Sequence, residues 1–125
     1  MIYTIGYQGM KSVEELVREL KKRDITHLVD IRSKPVSRWK PAFNQKALAD
    51  RLPGAGICYM WKGKQLGGFA EIEEKHIKWL ACWQKNKTAC LMCMEADPDR
   101  CHRKYEVGAR LEAYDVRAMH IMLRA

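Results

Sequence analysis

The sequence predicts an α/β fold: a single-domain three-layer sandwich, with a mostly parallel five-stranded sheet and helices on both faces. Three observations carry this. Five short apolar runs alternate with four stretches of helical periodicity, in the order β-α-β-α-β-α-β-α-β. Such alternation is what parallel strands joined by helical crossovers require, and right-handed crossovers leave few topologies. The chain has 125 residues, of which 47% are hydrophobic and 30% charged, enough for one core without disulfide or metal staples.

The elements follow in order. "MIYTIG" is a buried strand ending at Gly6. "SVEELVRELKKR" is a helix: Ser12 and Glu15 have capping-box spacing, and Val13, Leu16, Val17 and Leu20 form one apolar face. Its basic last turn suits the negative end of the helix dipole. "THLVDIR" is a second strand. "SKPVSRWKPAF", with two prolines, reads as a loop, long for a strand-to-helix connection. Asn44 is placed to cap "QKALADRL", with Phe43 and Leu48 spaced as a hydrophobic staple, and "PGAG" stops that helix.

"ICYMWKG" is the third strand and "KGKQLGG" a glycine-bearing loop. A helix is predicted from about Phe69 to Gln84, with Ile77, Leu80 and Ala81 on its inner side. "TACLMCM" is the fourth strand. Asp97 followed by Pro98 marks a helix start, and that helix runs to about Tyr114, with Val107, Leu111 and Tyr114 inward. "AMHIMLR" closes as the fifth strand. The arrangement is Rossmann-like, and no repeat, low-complexity tract or linker interrupts residues 1–125.

No apolar run approaches the ~20 residues that cross a bilayer, so no membrane is expected as a partner. The opening residues lack the basic and apolar regions of a signal peptide, and five cysteines cannot all pair within one chain. A reducing, cytoplasmic location is the expectation. The net charge of +8 favours an anionic ligand: a phosphorylated small molecule, a nucleotide or nucleic acid. No cofactor and no resident metal is expected.

In open α/β sheets, ligands bind beyond the carboxyl ends of the strands. The residues there are Gly6 and Tyr7 after strand one, and Asp30, Arg32, Ser33, Ser37 and Arg38 after strand two. Lys62, Lys64, Gly67 and Gly68 follow strand three, and Cys93, Glu95, Cys101, His102 and Arg103 follow strand four. Arginine forks hold phosphates in bidentate fashion, so Arg32, Arg38 and Arg103 are the candidate anion ligands, supported by Ser33, Ser37, Gly6 and Tyr7. Lys64 and Arg100 read as solvated surface charges. Asp30 reads equally well as a proton carrier or as a clamp for Arg32.

"LMCMEADPDRCHR" is the chemically densest stretch. A permanent disulfide between Cys93 and Cys101 is disfavoured in a reducing compartment. Zinc is disfavoured too: Cys93, Cys101 and His102 give three ligands at unusual spacing, and Cys90 and Cys93 point to opposite faces of a strand. Cys101 near a helix start and cations is a candidate nucleophile, with His102 or Glu95 as proton carrier; packing is the competing reading for Cys93 and Cys101. Cys58, Cys82 and Cys90 read as small buried apolar residues. Trp39 reads first as a loop anchor over the core, and second, with Phe43, as a base-stacking group among cations.

"YTIGY", "LVDIRSKPVSR" with "FN" after it, "LGG" and "LMCMEADPDRCHR" together resemble the bacterial and phage domain of unknown function numbered 488 (DUF 488). The resemblance covers nearly the whole chain. It implies a small α/β domain with a cysteine- and arginine-bearing pocket, and no reaction. The family-like positions are Thr4, Gly6, Asp30, Arg32, Ser33, Pro35, Ser37, Arg38, Gly67, Gly68, Cys93, Glu95, Cys101, His102 and Arg103. The chain departs in having Tyr7 where a histidine is also common. Three functions are expected to compete: an enzyme, hydrolase or transferase, acting on a phosphate-bearing ligand; a non-catalytic nucleic-acid or protein-binding module; and, as the weakest, a metal or redox sensor through Cys93 and Cys101.

Overall fold

The structure is a computed structural model that describes residues 1–67, 71–95 and 102–122, the side chains of 102–104 excepted. Five strands, β1 (Ile2–Gly6), β2 (His27–Asp30), β3 (Cys58–Trp61), β4 (Ala89–Cys93) and β5 (Ala118–His120), form one sheet. Their order is β3-β2-β4-β1-β5, and all pairings are parallel. The helices are α1 (Val13–Lys21), α2 (Gln45–Arg51), α3 (Gly63–Leu66), α4 (Glu74–Trp83) and α5 (His102–Leu111).

The strand order dictates which face each helix covers. From β1 the chain moves through β2 to β3 in one direction, then returns past β2 to β4 and on beyond β1 to β5. Right-handed crossovers taken in opposite directions put their helices on opposite faces. Two cores result. On one face Leu16 and Leu20 of α1 and Leu48 of α2 pack with Leu28, Ile5, Met92, Phe43 and Tyr7. On the other, Ile77 and Leu80 of α4 and Val107 and Leu111 of α5 pack with Ile2, Val29, Leu91 and Cys93. Strand alternation shows directly in β4, where Cys90 joins the first core and Cys93 the second. Each fully buried leucine or isoleucine contributes roughly 1.5–3 kcal/mol.

Local signals hold where the expected partners are present. Ser12 Oγ accepts from Glu15 N at 3.4 Å to open α1. Phe43 and Leu48 are buried together as a staple across the start of α2. Asn44 has the extended backbone of a cap but makes no side-chain cap bond; its Oδ1 instead accepts from Ser37 N.

Four expectations are corrected. "KGKQLGG" is not all loop, because Gly63–Leu66 within it form α3. The helix expected from Phe69 begins at Glu74. Residues 71–73 stay non-helical, with Ile72 buried in the core and its carbonyl accepting from Arg110 Nη1 at 2.7 Å. Cys58 and Cys82 are exposed rather than buried. Trp39 is 92% exposed rather than set as an anchor over the core. The Asp97–Pro98 helix start lies outside the described residues. Among the described residues no helix is long and apolar enough to cross a membrane.

The glycines of α3 settle how β2 and β3 end. A Cβ on Gly63 would sit 1.8 Å from the Arg32 carbonyl oxygen, and one on Gly67 would sit 2.3 Å from that of Ile31. Only bare backbone lets α3 lie against residues 31–33. Gly63→Ala is therefore expected to cost at least about 3 kcal/mol in urea unfolding. Gly54→Ala, where a Cβ meets nothing within 4 Å, should stay within about 1 kcal/mol of wild type.

Candidate functional site

Because every strand runs the same way, all five carboxyl ends share one edge. β4 is central there, flanked by β2 and β1, whose connections leave to the opposite face. Diverging connections open a crevice at such a point. The ladders continue past the strand ends: Ile31 N donates to Met92 O at 3.0 Å, Tyr7 N to Cys93 O at 3.2 Å and Gln8 N to Met94 O at 2.8 Å.

Asp30 ends β2 with no exposure, and Arg32 is 8% exposed two residues on, so both side chains fall on the α1/α2 face. They form a bidentate pair: Arg32 Nε donates to Asp30 Oδ1 at 2.8 Å and Nη2 to Oδ2 at 2.7 Å. Asp30 accepts two further bonds, from Arg32 N at 3.1 Å and from Tyr59 Oη at 2.6 Å. Nη2 also donates to the Phe43 carbonyl at 2.8 Å. The guanidinium lies 5.1 Å from the centre of the Tyr7 ring, which stacks on Phe43 with centroids 4.8 Å apart. Trp61 Nε1 fixes the Arg32 carbonyl at 2.7 Å.

This cage sets the protonation states. Burial alone would lower the Arg32 pKa; the hydrogen bonds and charge of Asp30, with Tyr7 adding to them, outweigh it and raise it, so the group stays cationic. Burial, and then the bond to Asp30, push the Tyr59 phenol above its ordinary range. One group is left over. Arg32 Nη1 is buried and finds no hydrogen-bond partner among the described residues. A buried guanidinium nitrogen in that state has donor capacity that an anion, or the Tyr7 hydroxyl that also helps raise the Arg32 pKa, would satisfy.

The other sequence-predicted positions fall as follows. Gly6 is buried at the end of β1, aligned with Cys93. Tyr7 is buried at 3% exposure as the wall behind Arg32. Ser33 and Arg38 are exposed. Ser37 is half-buried, and its Oγ accepts from Lys40 N at 3.1 Å. Cys93 is 5% exposed on the α4/α5 face, across the sheet from Asp30, with its Sγ 3.5 Å from the Glu95 carbonyl. Glu95 is half-buried just beyond the end of β4. His102 and Arg103 are described only as backbone in the first turn of α5, and Cys101 and Arg100 lie outside the described residues. Gly68 does too. Lys62 turns away from the crevice, its Nζ 5.0 Å from the centre of the Trp79 ring.

Sequence reasoning missed Tyr59, Trp61 and the Phe43 carbonyl. Leu28 aligns with Tyr59, and Asp30 with Trp61. That register, which places both aromatics beside the pair, is not written in residue spacing. A cleft lined by Ala49, Pro53, Ile57, Cys58 and Tyr59 lies at the amino end of β3 and shares Tyr59 with the cage.

The cage gives two expectations. Arg32→Met leaves the Asp30 carboxylate buried and unpaired and should cost about 3–5 kcal/mol in chemical denaturation, while Tyr59→Phe should cost about 1–2 kcal/mol. The folded-state pKa of Tyr59 lies above its unfolded value of about 10. Its contribution to stability is therefore complete below about pH 10 and is lost as pH rises through the folded value. Urea midpoints measured up the alkaline range should fall more steeply for the wild type than for Tyr59→Phe.

Searches of curated proteins and of solved structures give no match. Residues 12–75 match a family described as Domain of unknown function DUF488, just over half of the chain. The matched span holds Asp30, Arg32, the loop after them, Tyr59, Trp61, Gly63 and Gly67, and it ends before Cys93, a shorter reach than the near-complete resemblance read from the motifs. The chain belongs to this DUF488 family.

Proposed function

We propose that the protein is an enzyme, a hydrolase or transferase, acting on a phosphate-bearing ligand of nucleotide or nucleic-acid type at the carboxyl edge of the sheet. The observation that supports this reading is Arg32 Nη1: a buried cationic donor without a partner among the described residues, at the crevice where such folds take ligands. The Asp30 bidentate pair fixes the guanidinium plane, so the anion meets a donor already oriented. Arg38 on the neighbouring loop and Arg103 in the first turn of α5 supply further positive charge.

Asp30 is a positioning residue in this scheme, since four bonds occupy its carboxylate. The reacting groups are drawn from the β4 side, with Cys101 as nucleophile and Glu95 or His102 as proton carrier, while Cys93 packs in the α4/α5-side core. A binding module without catalysis shares the anion contact and differs in showing no turnover.

Calorimetric titration with inorganic phosphate and nucleoside monophosphates tests the contact. A charge-assisted hydrogen bond contributes about 1.5–3 kcal/mol, so Arg32→Lys should weaken binding roughly tenfold to a hundredfold in a protein whose circular dichroism is unchanged. Undiminished affinity would remove the reading. Against a panel of phosphate esters, Cys101→Ser should lower turnover by about a thousandfold or more. A fully active Cys101→Ser protein would exclude the covalent route.

A further inference from the structure

Between Asp30 and Asp50 the chain carries Arg32, Lys34, Arg38, Lys40 and Lys46 and no carboxylate. Residues 33–44 of this acid-free stretch leave the end of β2 and return to it. The neck is closed by Arg32 Nη2 donating to Phe43 O and by Gln45 N donating to Pro35 O at 2.8 Å. Higher up, Ser37 N donates to Asn44 Oδ1, Lys40 N to Ser37 Oγ, and Lys40 Nζ to the Met10 carbonyl of the β1–α1 connection. A loop tied at so many points is a built surface rather than slack chain.

What it displays is unusual. Val36 is 68% and Trp39 92% exposed, with Arg38 exposed between them. Trp61, Trp79 and Trp83 are all partly covered. An indole left in water on a braced loop, in a stretch that carries cations and no acid between residues 31 and 49, is complementary to a flat aromatic group carried on an anionic backbone. A nucleobase with its phosphodiester is that combination. Bases inside a duplex have both faces stacked, so only an unpaired base offers a face to Trp39.

We infer that the phosphate-bearing ligand is single-stranded nucleic acid, with an unpaired base stacked on Trp39 and the adjoining backbone running past Arg38 to the Nη1 group of Arg32. This deepens the reading above and rests on it. Arg32 receives a phosphate because the loop that carries Trp39 begins and ends at Arg32.

The test is fluorescence anisotropy with a labelled oligothymidylate of roughly 15 nucleotides, its duplex with oligoadenylate, and vesicles of phosphatidylserine and phosphatidylcholine. Trp39→Ala, at an exposed position, is compared with wild type. The inference expects single-strand binding that falls steeply with salt, exceeds duplex binding, and weakens about tenfold or more in Trp39→Ala. It is overturned if Trp39→Ala binds the single strand as wild type does, if the duplex binds equally well, or if the protein takes the vesicles and not the oligonucleotide. Inorganic phosphate titrated into the wild type separates the two levels. Phosphate bound with no oligonucleotide binding overturns this inference alone. If neither binds, the phosphate-ligand reading fails with it.

Discussion

The buried pair of Asp30 and Arg32 is the constraint on which the rest of the edge depends. Taking two charges out of water is expensive, and their attraction repays it only when geometry is good and the remaining donors and acceptors are met. Here they nearly are. The carboxylate accepts from Nε, Nη2, the Arg32 backbone and the Tyr59 phenol, and Nη2 reaches the Phe43 carbonyl. Those partners come from three places in the chain: just past the end of β2, the middle of β3 and the far end of the loop. The pair therefore sets where three segments meet, as well as contributing its own energy.

The same residue is held from its other side. Trp61 takes the Arg32 carbonyl, and α3 lies so close to residues 31–33 that glycine is required at 63 and 67. Side chain and backbone of Arg32 are thus clamped independently, one toward the α1/α2 face and one toward α3. A guanidinium fixed this way loses little freedom on meeting a ligand, which is the physical content of preorganisation. It also explains why Nη1 stays buried at a cost in desolvation: the clamp leaves it no other position.

Much of the fold was legible in the sequence, because periodicity and caps are local. Leu16 and Leu20 on α1, Cys90 and Cys93 on opposite faces of β4, and the Phe43–Leu48 staple fall where spacing puts them. The failures share a cause. Glu71 and Glu73 are good helix formers, yet α4 waits until Glu74 because Ile72 is held in the core and by Arg110. Asn44 is a fit cap whose side chain is taken by Ser37. Trp39 reads in sequence as an anchor because burial is the common fate of an indole, and nothing local says which way a loop turns. At the site, Asp30 and Arg32 were visible as residues at a strand end. Tyr59, Trp61 and the Gly63 contact depend on which strand lies beside β2, and that is decided by topology.

Nitrogen-15 NMR of the arginine side chains tests the central claim most directly, since it reads the guanidinium nitrogens separately. Arg32 should show resolved, slowly exchanging Nε and Nη2 protons, with rotation about its guanidinium bonds frozen out. Added inorganic phosphate should shift the Nη1 signals and leave Nε in place. Arg32 signals averaged by free rotation and exchanging like those of exposed Arg38, or phosphate moving Nε and Nη2 as much as Nη1, would contradict a clamped guanidinium with one end turned to ligand.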